Sequence, residues 1–135
     1  MSVWQNLFVG PFAEWLVPEG KTEGLPPRDN DGVRLFADKL LCNLSMGEPP
    51  ETITRGRKSY HRYCFMPHAK EPERHGREMY FAGQPAYPTT QELLAVDRQA
   101  EVDWLAKKYA KELEALAKKF GGKPRLSWGL ICWVS

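Results

Sequence analysis

The sequence predicts an α+β fold. A small, mainly antiparallel sheet of N-terminal strands, a central hairpin and a C-terminal strand packs against a helix at about 32–46 and a long or broken helix at about 90–120. Three observations carry that prediction. Apolar and aromatic runs occupy both ends of the chain, residues 59–66 and 77–82 repeat this character in the middle, and two stretches show helical periodicity between marked ends. With 135 residues, the chain is long enough to close one core without staples, so a single domain spanning 1–135 is expected.

The first run, Val3 to Val9, meets Gly10-Pro11 and resumes as Phe12 to Val17. Proline removes a ladder donor, so the pair predicts a bulge, bend or turn between two short strands. Pro18 to Asp31 gathers Gly20, Gly24 and Pro26-Pro27 among charged residues, which predicts a loop. From Val33, apolar residues recur at 33, 36, 37, 40, 41 and 44, the spacing of a helix with one buried face. Asn30 or Asp31 can cap its start, and Gly47 with Pro49-Pro50 can end it. Leu40, Cys42, Leu44 and Met46 also alternate as a strand would, but the helical match covers more residues and is the reading adopted.

Residues 59–66 and 77–82 read as two strands joined by the polar loop 67–76, forming a hairpin. The second helix opens on Thr89-x-x-Glu92, a capping box in which each side chain satisfies the other's free backbone donor, and stops at Gly121-Gly122. Val102, Leu105, Tyr109, Leu113, Leu116 and Phe120 form one stripe along it. Leu93, Val96, Ala100 and Trp104 lie roughly 170° away at 100° per residue. One straight helix cannot dock both stripes on a single sheet. Either the segment breaks near Asp97 to Asp103, or its first half packs on something else, such as another subunit. The closing run Leu126 to Val134 is apolar on both faces for much of its length and is expected to pair with the N-terminal strand.

Charge is segregated along the chain. Residues 1–53 carry four Lys/Arg and eight Asp/Glu, residues 54–77 seven and two, and residues 78–135 eight and seven. Any acidic ligand is therefore to be sought near the middle third. There Arg55, Arg57, Lys58, Arg62, Arg74 and Arg77 interleave with Tyr60 and Tyr63, as on surfaces that neutralise phosphates and stack bases. His61, Cys64, His68 and His75 are the weak candidates for a metal site. On a strand, however, His61 and Cys64 fall an odd number of positions apart and point to opposite faces, so no metal is expected. Cys64 with His61 or His68 is the corresponding enzymatic reading, a cysteine- or metal-dependent enzyme, but no elbow, oxyanion hole or orienting third residue accompanies it.

No apolar stretch approaches the roughly 20 residues of a membrane-spanning helix, and the N-terminus has no secretory pattern. Three cysteines at wide spacing read as reduced thiols, and a cytoplasmic setting is expected. No phosphate-binding glycine loop, dinucleotide fingerprint or helical pair of metal-binding histidines appears, so no cofactor is expected. The leading functional expectation is a non-enzymatic binding protein of inhibitor, immunity or adaptor type, acting through a protein partner or self-association. Leu93, Val96, Ala100 and Trp104 are its candidate interface. The rival is a nucleic-acid or nucleotide-phosphate binder using residues 54–77.

Overall fold

Six antiparallel strands form one sheet with two helices packed on it, in a computed structural model that describes residues 5–20, 40–43, 52–67, 77–81 and 96–134. Strand β1 (Gln5–Pro18) is its axis. Strand β6 (Arg125–Val134) follows one edge of β1, from Val134 opposite Gln5 to Arg125 opposite Glu14. The other edge is divided. Strand β5 (Arg77–Phe81) pairs with Gln5 to Val9, and β4 (Lys58–Pro67) pairs with Ala13 to Pro18. Gly10, Pro11 and Phe12 lie between the two ladders, where Pro11 has no N–H to offer either neighbour. The expected interruption at Gly10-Pro11 is thus a change of neighbour within one continuous strand, not a boundary between two.

Strand β4 divides its outer edge in the same way. Strand β3 (Thr52–Arg55) pairs with Lys58 to His61, and β2 (Leu40–Cys42) pairs with Phe65 to Pro67. Two expectations are corrected here. Residues 40–42 of the predicted 32–46 helix are a strand, because Leu40 and Cys42 alternate onto the face that packs against the core. Residues 32–39 and 44–46 lie outside the described residues. The central hairpin is β3–β4, not 59–66 with 77–82. Arg55 pairs with Lys58 across Gly56-Arg57, and Gly56 has φ 64°, the positive value that tight hairpin turns require at this position. β4 and β5 do form, but each pairs with β1 instead of with the other.

Helix α1 (Arg98–Lys108) begins at Asp97, which is extended (φ −83°, ψ 94°) and accepts from the Ala100 N–H at 3.0 Å. A single helix continuous over 90–120 is therefore excluded, since Val96 and Asp97 are not helical; residues 90–95 lie outside the described residues. The Thr89–Glu92 capping box lies outside the described residues. Helix α2 (Ala110–Phe120) follows after a kink at Tyr109, whose φ is −107°. Hydrogen bonds Tyr109 N–H to Leu105 O (3.1 Å) and Leu113 N–H to Tyr109 O (2.8 Å) continue through it.

Alternation along the strands sorts the apolar residues onto two faces. Ala13, Trp15, Val17, Leu40, Tyr63 and Phe65 meet Leu105, Tyr109, Leu113 and Leu116 of the helices in one buried cluster. Phe120 joins its aromatic centre, stacked on Trp15 at 5.1 Å with Tyr63 at 5.0 Å. The Trp15 indole also donates to Gly122 O at 3.3 Å, tying the end of α2 to β1. On the opposite face Phe8, Phe12, Cys64, Met66 and Ile131 form a second cluster. Among the described residues no helix is long and apolar enough to cross a membrane.

Candidate functional site

The basic hairpin separates into parts with different fates. Arg55, Arg57 and Lys58 are exposed at the β3–β4 turn, and Tyr60 is half-buried. Tyr63 is 1% exposed beneath the helices, so it has no face to offer a base. Arg62 lies on the other face of β4, where its Nε forms an ion pair with buried Glu14 and its guanidinium covers the Phe12 ring at 5.5 Å. Arg77 opens β5 opposite Val9, and Arg74 lies outside the described residues. Three of the eight residues therefore stand together as free-standing surface cations on one turn.

The His/Cys group is likewise not convergent in its described part. His61 is buried, with Nδ1 at 3.3 Å from Thr52 Oγ1, while Cys64 is fully buried on the opposite face with Met66. His68 and His75 lie outside the described residues. Among the described residues no three His, Cys, Asp or Glu side chains are grouped to hold a metal ion. Asn43 braces this end of the sheet. Its Oδ1 accepts from the Cys64 N–H at 2.8 Å, its Nδ2 donates to Arg62 O at 3.1 Å, and its own N–H donates to Cys64 O at 3.2 Å. Next to it, desolvation pushes the Cys42 thiol well above its ordinary value. Cys64 adds to the rise, and the Asn43 backbone opposes it. That direction removes thiolate, the reactive form a nucleophile needs.

Of the residues on the second helical stripe, Ala100 is exposed, Val96 is half-buried just before α1, and Leu93 lies outside the described residues. Trp104 is half-buried and packs edge-on against Tyr109 at 5.7 Å, with Lys108 Nζ 5.4 Å over its ring. Its own chain thus covers part of it.

The feature that sequence reasoning missed lies where α1 meets β6. Arg98, Gln99, Val102 and Asp103 face Leu126, Ser127 and Trp128 across an open cleft of about 480 Å³. Trp128 is fixed there from both sides. Its indole N–H donates to buried Glu101 Oε2 at 3.2 Å, and the Arg98 guanidinium lies 4.8 Å over its ring. Beyond the cleft, β6 has β1 on one side and, among the described residues, no strand on the other. Among the described residues this side of the ten-residue strand is unpaired, and its one charged side chain is Arg125, at its start. Leu130, 55% exposed, is the large hydrophobic residue left open to solvent among the described residues. An edge of this kind can accept another extended chain by backbone hydrogen bonding, with side-chain contacts at alternate positions. The composition of 126–134 was visible beforehand, but which side of it would be paired was not.

No family model matches the chain, and neither the curated proteins nor the solved structures contain a match to it.

Proposed function

We propose that this chain is a non-enzymatic binding module that acts through protein contacts by taking an extended segment of its partner onto the outer edge of β6. The observation that carries this reading is the β6 edge that no strand among the described residues pairs: ten residues long, uncharged after Arg125, and bearing exposed Leu130. Trp128, held by Glu101 and Arg98, supports it as a rigid aromatic contact beside the cleft. A cytoplasmic setting is part of the proposal and is consistent with Cys42 and Cys64 being free thiols. The test is selection of a phage-displayed library of random linear peptides on the protein. Enriched peptides should bind wild type and lose binding to Leu130→Lys, which places a solvated charge on the edge. A library in which no peptide distinguishes the two proteins contradicts the reading.

A second reading, nucleic-acid binding at the β3–β4 turn, keeps one specific support, the exposed trio Arg55, Arg57 and Lys58. Retention of labelled single-stranded RNA at low salt, lost in Arg55→Glu/Arg57→Glu and weakened by added salt, is its expected result. Equal binding by both proteins would exclude the turn as the contact.

A further inference from the structure

We infer that the cleft between α1 and β6 is a binding site for a small aromatic monocarboxylate, whose charge is taken by Arg98 and whose ring lies against Val102, Leu126 and Trp128. The inference goes beyond strand addition, which concerns the backbone of β6 and Leu130. At about 480 Å³ the cleft falls within the size range of small-ligand sites, roughly 300–1,000 Å³. Its lining also divides as such sites do, with apolar side chains for the body of a ligand and a few polar groups to orient it.

Arg98 indicates the ligand's charge. Three carboxylates lie close to it in the chain, and each is engaged elsewhere. Asp97 accepts from the Ala100 N–H, Asp103 from Gln99 Nε2 at 3.0 Å, and buried Glu101 from the Trp128 indole N–H. Among the described residues the Arg98 guanidinium has no ionic partner, and it rests instead over the Trp128 ring at 4.8 Å. A guanidinium held against an aromatic face keeps its N–H groups for a ligand, and its planar fork matches a carboxylate. Trp128 supplies the second indication. It is only half-buried, yet a buried carboxylate orients it. Burying a carboxylate is unfavourable, and core packing does not require it for a half-exposed indole. A ring fixed in this way gives an aromatic ligand a surface that loses little freedom on binding. Asp103 narrows the class further. It lines the same cleft, so a dianion such as a phosphate monoester meets repulsion that a monoanion paired with one arginine largely avoids.

Titration of the intact chain with cinnamate tests the inference, read by NMR at the Trp128 indole N–H, whose resonance is identified by its loss in Trp128→Phe. Cinnamate should move that resonance saturably. The uncharged cinnamamide and the dianionic phenyl phosphate should each bind about tenfold more weakly or worse. Arg98 is exposed, so Arg98→Met should fold with the circular dichroism of wild type. It should weaken cinnamate by roughly ten- to hundredfold and leave cinnamamide unchanged. Arg98→Lys, which keeps the charge without the fork, should fall between the two. No saturable shift up to the solubility of cinnamate, or equal binding of the acid and the amide, overturns the inference. So does equal binding of cinnamate by wild type and Arg98→Met. Phenyl phosphate binding more tightly than cinnamate overturns the monocarboxylate class. None of these outcomes depends on peptide selection at β6, so the two readings fail separately.

Discussion

The sheet is finished differently at its two ends. Beyond β4 it closes with two short strands, β2 of three residues and β3 of four, a tight turn carrying Arg55, Arg57 and Lys58, and the side chain of Asn43 bonded to the β4 backbone. Beyond β1 on the other side the last strand among the described residues is β6, ten residues with a single charge. Short edge strands, surface cations and side chains that occupy backbone groups are the usual means by which an edge is kept from pairing with another chain. The β4 end has all three. That contrast is the reason for proposing β6, and not the β4 end, as the contact for a partner.

Perturbing the closed end should chiefly affect stability. The largest expected effect is at Arg62. Arg62→Met strands the Glu14 carboxylate in the second apolar cluster and should lower the unfolding free energy by roughly 3–5 kcal/mol in urea titrations. Glu14→Leu/Arg62→Met should recover most of that loss, because it is the unpaired charge and not the missing pair that destabilises. If the double variant is less stable than the single, the ion pair has been misread. Next is Asn43→Ala, which leaves the Cys64 N–H and Arg62 carbonyl without their side-chain partner. A loss of about 1–3 kcal/mol is expected, with faster amide exchange at Cys64.

Cys42 gives this end a signature in pH. Its folded value is raised, so its contribution is fully present below the unfolded thiol's ordinary value of 9.0 and is lost as pH climbs toward the folded one. Wild type should therefore lose stability relative to Cys42→Ala above that point, with a slope of at most about 1.4 kcal/mol per pH unit for one proton. Parallel stability curves would contradict the assignment. The smallest effect is expected at the open end. Leu130→Lys should change monomer stability by no more than about 0.5 kcal/mol, since the side chain it replaces is already in solvent. A large loss there would mean that Leu130 is a core residue and the edge is not open.

What could be read in advance follows the same division. Alternation and stripe periodicity are local properties. They placed the terminal strands, the pairing of β6 with β1, and Leu105, Tyr109, Leu113 and Leu116 on the buried side of the helices. Asp97 caps α1 at one end of the range where the stripe reverses, but Ala100 and Trp104 follow it on the same helix as Val102 and Leu105, so the helix start does not divide the two stripes. Which strands become neighbours is not local. β3 holds one apolar residue, Ile53, and was passed over, although Gly56-Arg57 after Thr52-Ile53-Thr54 is a two-residue turn signal. The helical reading of 33–44 failed at 40–42 because periods of 2 and 3.6 agree over so few residues. Arg62 and Tyr63, adjacent in a basic-aromatic run, were separated by the pleat onto opposite faces. The candidate site was the least legible part. The sequence pattern reads Leu130 and Trp128 as core, whereas the structure leaves Leu130 55% exposed and Trp128 half-buried beside the cleft.

Amide hydrogen exchange with and without a linear peptide selected on the protein addresses that contrast most directly. Amides within 125–134 are expected to gain protection when the peptide is added, whereas those of β3 and the outer edge of β4 keep the same rates. Protection of 125–134 that is already complete without peptide, or that never changes while the β3–β4 end responds instead, would contradict the reading.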